Sequence, residues 1–436
     1  MQPFRIAILG LWHLGEIYSA GLAELGHKVV GISEDEALIA NFKKGEPPLP
    51  EPGLKELIIK HQSQGNLRYS TDFSEIANTN VLWLTFDTPV SEDDEVDLSP
   101  IWDALKKSLP HLSTPALLVV SSQIPVGTSE QICDFLKRSR SDLKLSYLYI
   151  PENLRLGEAL RCFMEPGRIV VGGYDPEAFK EARLIFSKLQ ADFLEMSPAS
   201  AEMAKHALNA FLATSVSFIN DIADLCEKTG ADILDVTRAL RSEPRIGPKA
   251  FLDAGLGFSG GTLGRDLRVL LAASEKFNSP LPVISGVFKK NLSRIDLIIE
   301  KISRALGGLS GKSLALLGLT YKPGTRTLRR SRAIEIAQVL KDAGVSLRLS
   351  DPEVDDRELS TLGRFDFFHD PYEAIRASDA VILLTPWPVF KDLDFKKLGA
   401  SVKPQAVFFD TSNFLWDKEI EINAAGFRYL GIGRKN

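Results

Sequence analysis

A lysine and an asparagine, Lys205 and Asn209, lie four positions apart in a long helical pattern. That spacing puts both side chains on one face of a helix, where an ammonium and an amide can hold one substrate oxygen. Asp266 follows a glycine-dense stretch over residues 255–261, and such a stretch favours close approach of the backbone to a ligand. The sequence alone also allows Lys205 and Asp266 to form a plain ion pair.

A second chemical feature is a turn that reads Gly10-Leu11-Trp12-His13-Leu14-Gly15, between a strand pattern and a helical pattern. A dinucleotide fingerprint belongs here: the first glycine makes the turn, the second admits a pyrophosphate and the third packs helix on strand. Trp12 holds the second glycine position, and Ser33, followed by Glu34, stands where an acid is expected. The turn alone fits a dinucleotide site and an empty tight turn equally well. Trp12 either stacks on a ligand, fills an emptied cofactor site or lines a shifted turn.

These residues are carried by short apolar strand patterns that alternate with helical ones. Such alternation is typical of a parallel sheet covered on both faces, the doubly wound α/β arrangement. Strand signals vanish from about Pro198 to Ala305, where one long helix is predicted over Ala201–Lys228, and then return. The predicted strands are Phe4–Gly10, Lys28–Ile32, Val81–Phe86, Ala116–Ser121, Leu145–Ile150, Arg168–Val171, Ser313–Leu319, Val345–Ser350, Ala380–Thr385 and Ala406–Asp410.

The predicted fold is therefore α/β, with two Rossmann-like doubly wound domains joined by a long central helix and a helical dimerisation domain. We predict an N-terminal dinucleotide-binding domain over residues 1–197, a helical domain over 198–305 and a second Rossmann-like domain over 306–436. A long helix at the centre of the chain can bury one face against a partner subunit.

Composition excludes several classes of protein. The 436 residues carry 52 Lys+Arg and 57 Asp+Glu, and this balance gives no general attraction to nucleic acid or anionic membrane. No run approaches the roughly 20 apolar residues of a bilayer-spanning helix. Cys133, Cys162 and Cys226 form no C-x-x-C pair, which argues against zinc and a disulfide scaffold and indicates a reducing compartment. We predict a cytoplasmic protein with no metal, nucleic-acid or membrane partner.

Several segments together resemble the UDP-glucose/GDP-mannose dehydrogenase family, in family order from about residue 4 to residue 434. The longer ones are residues 151–155, 202–209, 245–266, 318–323 and 350–352. The shorter ones are Thr88-Pro89, Glu51-Pro52-Gly53-Leu54, Pro125-Val126-Gly127-Thr128 and Gly426-Phe427. The resemblance implies an N-terminal domain that binds NAD, a central helix that dimerises and a C-terminal domain that binds the nucleotide of a sugar such as UDP-glucose. Family members oxidise the sugar C6 alcohol to a carboxylate in two hydride transfers, through a cysteine thiohemiacetal and thioester.

The resemblance also assigns roles to individual residues. The implied catalytic residues are Lys205, Asn209, Asp266, Glu152 and Thr262. The implied cofactor-binding residues are Gly10, Trp12, Leu14, Gly15, Ser33, Thr88 and Ser122. The implied substrate-binding residues are Leu154, Arg155, Arg245, Phe251, Gly257, Lys322 and Arg329, and Arg245 is expected to reach a partner subunit's site.

This sequence departs from the family at chemically important positions. Thr262 stands at the family cysteine, and an alcohol forms far less anion at neutral pH than a thiol does. Leu156 replaces a family glutamate, Ser122 a threonine that orients water, and Ser412-Asn413 an Arg-Asn pair. Cys162 could replace the thiol, but its neighbours Phe163 and Met164 favour a packing role. We therefore predict that the thioester step is absent.

Three functions fit these observations. The favoured one is an NAD-dependent nucleotide-sugar 6-dehydrogenase without the thioester step, a homodimer that serves polysaccharide biosynthesis. The second is a non-catalytic homologue that binds a nucleotide sugar as a scaffold or regulator. The third is a β-hydroxyacid dehydrogenase, against which the second Rossmann-like domain and Lys322 both count.

Overall fold

The computed structural model describes residues 2–88, 96–113, 116–361, 363 and 365–435. By its internal contacts the chain divides into two units, Met1–Ala207 and Leu208–Asn436, and the division falls inside the long helix α8, Pro198–Thr229. Each unit is described by itself. The three domains predicted from the sequence, with boundaries at 197/198 and 305/306, stay a prediction.

The first unit is built on a twisted sheet with strand order β3-β2-β1-β4-β5-β6-β7-β8 in its described part. The strands are β1 Arg5–Leu9, β2 Lys28–Ile32, β3 Leu67–Ser70, β4 Val81–Leu84, β5 Ala116–Val120, β6 Leu145–Tyr149, β7 Arg168–Gly173 and β8 Asp192–Met196. The helices are α1 His13–Glu24, α2 Glu36–Lys43, α3 Leu54–Ser63, α4 Ser99–Ser108, α5 Thr128–Ser139, α6 Ala159–Met164 and α7 Pro176–Ile185. Short 3₁₀ turns lie at Phe73–Asn78 and Leu109–His111.

Strand β1 shows why these residues form a covered sheet. Ile6 and Ile8 pack in one hydrophobic core, while Ala7 and Leu9 pack in a second core. Side chains along a strand alternate between the two faces of the sheet, so a strand that is apolar at every position needs helices on both sides. The continuous apolar run in the sequence is thus explained by two cores on opposite faces of one sheet.

The second unit repeats the arrangement with strand order β11-β10-β9-β12-β13-β14, all neighbours parallel. The strands are β9 Ser313–Leu317, β10 Ser346–Ser350, β11 Asp366–Phe367, β12 Ala380–Leu383, β13 Val407–Asp410 and β14 Arg428–Gly431. The helices are α9 Ile233–Ser242, α10 Arg265–Lys276, α11 Pro282–Leu292, α12 Arg294–Leu306, α13 Arg332–Asp342, α14 Asp356–Thr361, α15 Pro371–Ala374, α16 Phe395–Gly399 and α17 Glu419–Ala424. Short 3₁₀ turns lie at Pro388–Asp392 and Trp416–Lys418, and one π-helical turn lies at Gly260–Gly264.

The predicted α/β architecture, with two Rossmann-like sheets and a long central helix, is confirmed. One detail was wrong: β7 runs antiparallel to β6, so the first sheet is mixed and not wholly parallel. The connection between these two strands contains helix α6, and a connection of this length permits either direction of the next strand, so the reversal does not follow from the connection alone. Within the described ranges, no helix combines the length and the hydropathy needed to cross a bilayer.

Candidate active site

The fingerprint turn needs both of its glycines for its own geometry. Gly10 has a φ of +94°, and a Cβ there would lie 2.6 Å from the backbone nitrogen of Phe86. A Cβ at Gly15 would overlap the carbonyl oxygen of Gly10, so α1 can pack on the turn only with glycine at this place. The fold requires these two glycines whether or not a ligand binds, so their presence does not indicate a ligand. The residue at the second fingerprint position is the one that can distinguish a cofactor site from an empty turn.

That second position, Trp12, opens the first helix. Its backbone is extended, its side chain makes no capping bond, and its carbonyl accepts the first helical bond from Glu16, at 2.8 Å. The amides of His13, Leu14 and Gly15 precede that bond and have no acceptor within the helix. Such a helix start is suited to a phosphate group. The Leu14 side chain itself lies in the hydrophobic core, so only its amide faces the turn.

A cavity of about 560 Å³ lies beside this turn, at the carboxyl ends of β1 and β2. Gly10, Trp12, Ser33 and Glu34 line it, and Lys107 of α4 lines the opposite wall. Trp12 is 45% exposed, so its ring borders the cavity and does not fill it. Dinucleotides bind at this edge of doubly wound sheets, and the free amides, the glycine turn and the cavity together fit NAD.

Two further predicted cofactor contacts follow strands β4 and β5. The Thr88 hydroxyl donates to the carbonyl of Gln123 at 2.8 Å. The Ser122 hydroxyl is buried and has no hydrogen-bond partner among the residues that the structure describes. A buried hydroxyl without a partner is costly, and a ligand or water that reaches it would remove that cost. Neither residue lines the cavity beside Trp12.

Lys205 and Glu152 meet, as the catalytic assignment requires. The Lys205 ammonium is almost fully buried and donates to the Glu152 carbonyl at 2.6 Å and to its carboxylate at 3.2 Å. The second carboxylate oxygen of Glu152 accepts from the amide of Leu154 at 2.7 Å. Leu154 packs against the core, whereas Arg155 is exposed and lies 4.0 Å from Glu158. Glu152 thus pairs with the Lys205 ammonium and fixes its orientation.

The start of α8 is anchored by a residue that sequence reasoning missed. The buried carboxylate of Glu202 accepts from the amides of Gly127 at 2.7 Å and Ser129 at 2.8 Å, at the beginning of α5. Burial raises the pKa of Glu202, and these backbone bonds lower it again. Glu202 stands one turn before His206, whose ring bonds to the carbonyl of Ile124 at 2.9 Å. Glu202 and His206 lie one turn apart on the same helix as Lys205, and this spacing is the sequence signal that could have revealed them.

Asn209 and Asp266, two further predicted catalytic residues, contact each other. The Asn209 amide donates to the Asp266 carboxylate, which is fully buried in the first turn of α10. Thr262 lies four residues earlier in the π-helical turn, and its side chain is exposed. No described residue makes a hydrogen bond to the Thr262 hydroxyl, so the structure offers no base to activate it.

The loop before Thr262 is fixed by buried polar side chains that the sequence did not reveal. Asn291 accepts from the amide of Phe258 at 2.9 Å and donates to its carbonyl at 3.0 Å. Gly255 donates to Asn220 at 2.9 Å, and its carbonyl accepts from Arg294 at 2.7 Å. We call these three side chains, Asn220, Asn291 and Arg294, the loop clamp.

Gly257, predicted to bind substrate, lies inside the loop clamp. It has a φ of +87°, and a Cβ there would overlap the amide oxygen of Asn291. Arg294 is fully buried and pairs with Asp224 of α8 at 2.8 Å. That pairing holds the pKa of Asp224 down at about 2 in spite of its burial. The glycine is therefore required for the packing of the loop as well as for any ligand.

The remaining predicted substrate residues lie in loops of the second unit. Lys322 begins a tight turn in which Thr325 donates to the Lys322 carbonyl at 2.8 Å, and Arg329 is exposed a few residues on. Arg245 is exposed and pairs with Glu243 at 2.8 Å. The structure places Phe251 on the surface with 47% of its side chain exposed.

An arginine group adds positive charge near these loops. Burial lowers the pKa of Arg330, and three neighbouring arginines lower it further: Arg329, Arg265 and Arg268. Like charges depress one another's pKa only when they are close, and such a group favours an anion beside it. Arg265 directly precedes Asp266. The second unit therefore presents a positive region beside one of the predicted catalytic carboxylates.

A doubly wound sheet with a glycine turn and a cavity at its carboxyl edge is the arrangement of a dinucleotide-binding domain. Models of one family match along the chain: its NAD binding domain over residues 4–190, its central domain over 199–293 and its UDP binding domain over 315–417. The chain belongs to the UDP-glucose/GDP-mannose dehydrogenase family. It is an NAD-dependent oxidoreductase of the nucleotide-sugar dehydrogenase type.

Relatives of known name match over the whole length. UDP-glucose 6-dehydrogenase of Rhizobium meliloti (strain 1021) is 33% identical, with 99% of each chain covered. UDP-glucose 6-dehydrogenase TuaD of Bacillus subtilis (strain 168) is also 33% identical, over 99% of this chain and 93% of that protein. A solved UDP-glucose dehydrogenase of Pyrobaculum islandicum superposes with a TM-score of 0.90 at 28% identity, over 99% of this chain and 98% of that one.

Proposed function

We propose that this chain oxidises the C6 alcohol of a UDP-sugar such as UDP-glucose and does so without a covalent thioester. The proposed absence of a thioester rests on Thr262. It is an exposed alcohol with no base bonded to it among the described residues, and it stands where the resemblance places the family's cysteine. The relatives named above are UDP-glucose 6-dehydrogenases, which supports the proposed oxidation of a UDP-sugar at C6. NAD, when bound, accepts a hydride from the sugar C6.

The chain's own residues supply binding, orientation and charge. The first-turn amides of α1 would hold the pyrophosphate of NAD, beside Gly10 and Trp12. The Lys205 ammonium and the Asn209 amide would both donate to the C6 oxygen, and Glu152 and Asp266 fix those two groups in place. A fixed cation stabilises the negative charge that develops on an alcohol oxygen as its proton leaves.

The substrate's nucleotide would bind in the second unit. Two phosphates carry negative charge that matches the arginine group around Arg330 and the Lys322 turn. Arg245 is exposed and, among the described residues, pairs with Glu243 of its own loop, so it is available to reach a partner subunit's site. We assign Leu154, Arg155, Phe251, Gly257 and Arg329 to the sugar and nucleotide contacts on the same basis.

Without a thiol the first product is an aldehyde. Water adds to an aldehyde to give a hydrate, and oxidation of that hydrate is the remaining route to an acid. The buried, ion-paired Lys205 favours the first oxidation, because it stabilises an alkoxide without forming a bond to carbon. We therefore expect aldehyde release, with acid as a minor product.

We further propose a homodimer that uses the outer face of α8. Phe211, Phe218 and Leu225 follow one another at seven-residue steps, and they are 69%, 47% and 58% exposed. Seven residues are almost two full helical turns, so the three side chains form one apolar stripe. Exposed apolar stripes of this kind mark protein interfaces.

The three cysteines are free, two of them half-buried and one buried, which fits the reducing conditions of the cytoplasm. There the product would serve polysaccharide synthesis.

The test is an assay with UDP-glucose and NAD, in which absorbance at 340 nm reports NADH and a carbonyl reagent reports aldehyde. We expect NADH and aldehyde from the native chain, with no acyl-enzyme that hydroxylamine can trap. Thr262→Cys is expected to form that acyl-enzyme and more acid, whereas the matched Thr262→Ser is not. A trappable acyl-enzyme in the native chain would refute the proposed mechanism.

A different result separates catalysis from binding. Thermal stabilisation by UDP-glucose, with no stabilisation by NAD and no NADH from any UDP-sugar, would favour the non-catalytic homologue. Stabilisation by both ligands together with turnover supports the dehydrogenase.

A further inference from the structure

The end of β2 has no acid at the position where NAD-binding sheets normally carry one. The ribose of NAD is held there by a carboxylate that accepts bonds from its hydroxyls, and the same carboxylate repels the 2′-phosphate of NADP. In this chain the position is Ser33, whose hydroxyl already accepts from the amide of Asp35, at 3.2 Å. A single hydroxyl cannot supply the missing charge.

Besides Asp87, which follows β4, three carboxylates line the cavity beside this gap, and two of these three already have other partners. Asp35 caps α2 by accepting from the amide of Leu38 at 2.9 Å. Asp103 belongs to α4 and lies 3.6 Å from Lys106, one residue before the cavity's own lysine. The third, Glu34, follows Ser33 directly and lines the cavity beside Trp12.

The Glu34 carboxylate is oriented from across the cavity. The Lys107 ammonium, on α4, donates to it at 2.5 Å, and both side chains line the same space. Glu34 is 63% exposed and Lys107 48% exposed, so the pair is open to an entering ligand. A carboxylate held by one bond keeps lone pairs free for further donors such as ribose hydroxyls.

We propose that Glu34 is the ribose-binding, NAD-selecting acid of this chain, displaced by one residue from its usual place, and that Lys107 is its positioning residue. This proposal rests on the proposed use of the cavity beside Trp12 as the cofactor site. It would explain how a chain with an NAD binding domain can select NAD without an acid at position 33. The cavity lining also holds Asp35, Asp87 and Asp103 against the single cation Lys107, which disfavours an added phosphate.

The test is calorimetric titration of the full chain with NAD and, separately, with NADP. We expect Glu34→Gln to weaken NAD by about 10-fold or more, because charge-assisted bonds are lost, and to leave NADP unchanged or tighter. Lys107→Gln is expected to weaken NAD less than Glu34→Gln does, because it removes only the orienting bond. Glu36→Gln, an exposed acid of α2 outside the cavity, is the matched control and leaves both affinities unchanged.

A rescue separates a ribose contact from a general effect of charge. In Ser33→Asp/Glu34→Gln the acid returns to its usual position, and we expect NAD affinity to recover. Unchanged NAD binding in Glu34→Gln, or an equal loss of NAD and NADP, would overturn the proposal while the cofactor site stands. Failure of the native chain to bind either dinucleotide would overturn both.

Discussion

Replacing Glu16 by glutamine should make the first unit more stable, and increasingly so as the pH rises. Glu16 lies in α1, one turn beyond Trp12, and it is fully buried. One carboxyl oxygen accepts weakly from the amide of Leu49 at 3.3 Å, and the other has no partner among the described residues. Burial raises the pKa of Glu16 to about 9, and the nearby charges of Glu51 and Asp87 contribute to that rise. The group is therefore a neutral acid in the folded chain.

The sign of the effect follows from proton linkage. The pKa of an unperturbed glutamate is 4.5 and that of folded Glu16 is about 9, so the carboxyl's contribution to stability is fully present below pH 4.5. Between pH 4.5 and about pH 9 the carboxyl is ionised in the unfolded chain but still protonated in the folded chain. The free energy of unfolding therefore falls by about 1.4 kcal/mol per pH unit over this range. At pH 7.5 the accumulated loss is about 4 kcal/mol, as an order of magnitude. Glutamine has nearly the same shape and does not titrate, so Glu16→Gln avoids this loss.

Thermal unfolding of native and variant chains from pH 5 to pH 8 measures the effect. We expect melting temperatures that nearly coincide at pH 5 and that differ on the order of 10 °C near pH 8, with the variant higher. The control is Glu24→Gln on the same helix, because bonds from Lys60 and His61 lower the pKa of Glu24. That variant should be less stable than the native chain near neutral pH. A difference for Glu16→Gln that does not change with pH would refute the argument.

Three further perturbations test the site and the assembly. Asn291→Ala removes both loop-clamp bonds to Phe258, so we expect the free energy of unfolding, measured with urea, to fall by about 2–4 kcal/mol. We also expect kcat to fall by more than KM changes, and an unaltered kcat would show that the loop does not need the clamp. Trp12→Gly should tighten NAD in a calorimetric titration, because it lets the pyrophosphate approach the backbone; weaker binding would mean that the indole stacks on the ligand. Phe218→Asp should give monomers in light scattering, because it places a charge in the apolar stripe, whereas an intact dimer would place the interface elsewhere.

The interior of both sheets could be predicted from the sequence, and their edges could not. Every strand predicted from an apolar run is present, but β3, β8, β11 and β14 were missed, and these are the outermost strands of the two sheets. In β8 the burial is mostly partial or absent, and β11 has only two residues. A strand with a neighbour on one side only, and with solvent at hand, needs no continuous apolar run. A continuous buried run is therefore absent from β3, β8 and β11, whereas β14 is buried at three of its four residues and this explanation does not cover it.

Part of the geometry of the candidate site was predictable from helical spacing, whereas the roles of its residues stay a prediction. Lys205 with Glu152, and Asn209 with Asp266, meet as pairs in the structure, and helical spacing was enough to propose the first member of each. The loop clamp was not predictable, because an asparagine in a helical pattern gives no sign that its amide bonds to a backbone over 30 residues away. The distance between Phe258 and Asn291 in sequence hides a contact that only the packing of α11 creates.

Two of the departures that the family resemblance implies, at Trp12 and Thr262, lie where the fold does not require a particular side chain. Gly10 and Gly15 are held by backbone contacts that exclude any Cβ, and both are retained. Trp12 and Thr262, in contrast, have exposed side chains on glycine-bounded turns, so substitution there removes no packing. A chain can thus keep the family fold, as the TM-score of 0.90 to a solved relative requires, while its chemistry changes at those turns. The cofactor turn and the nucleophile position could therefore change independently of each other and at little cost in stability.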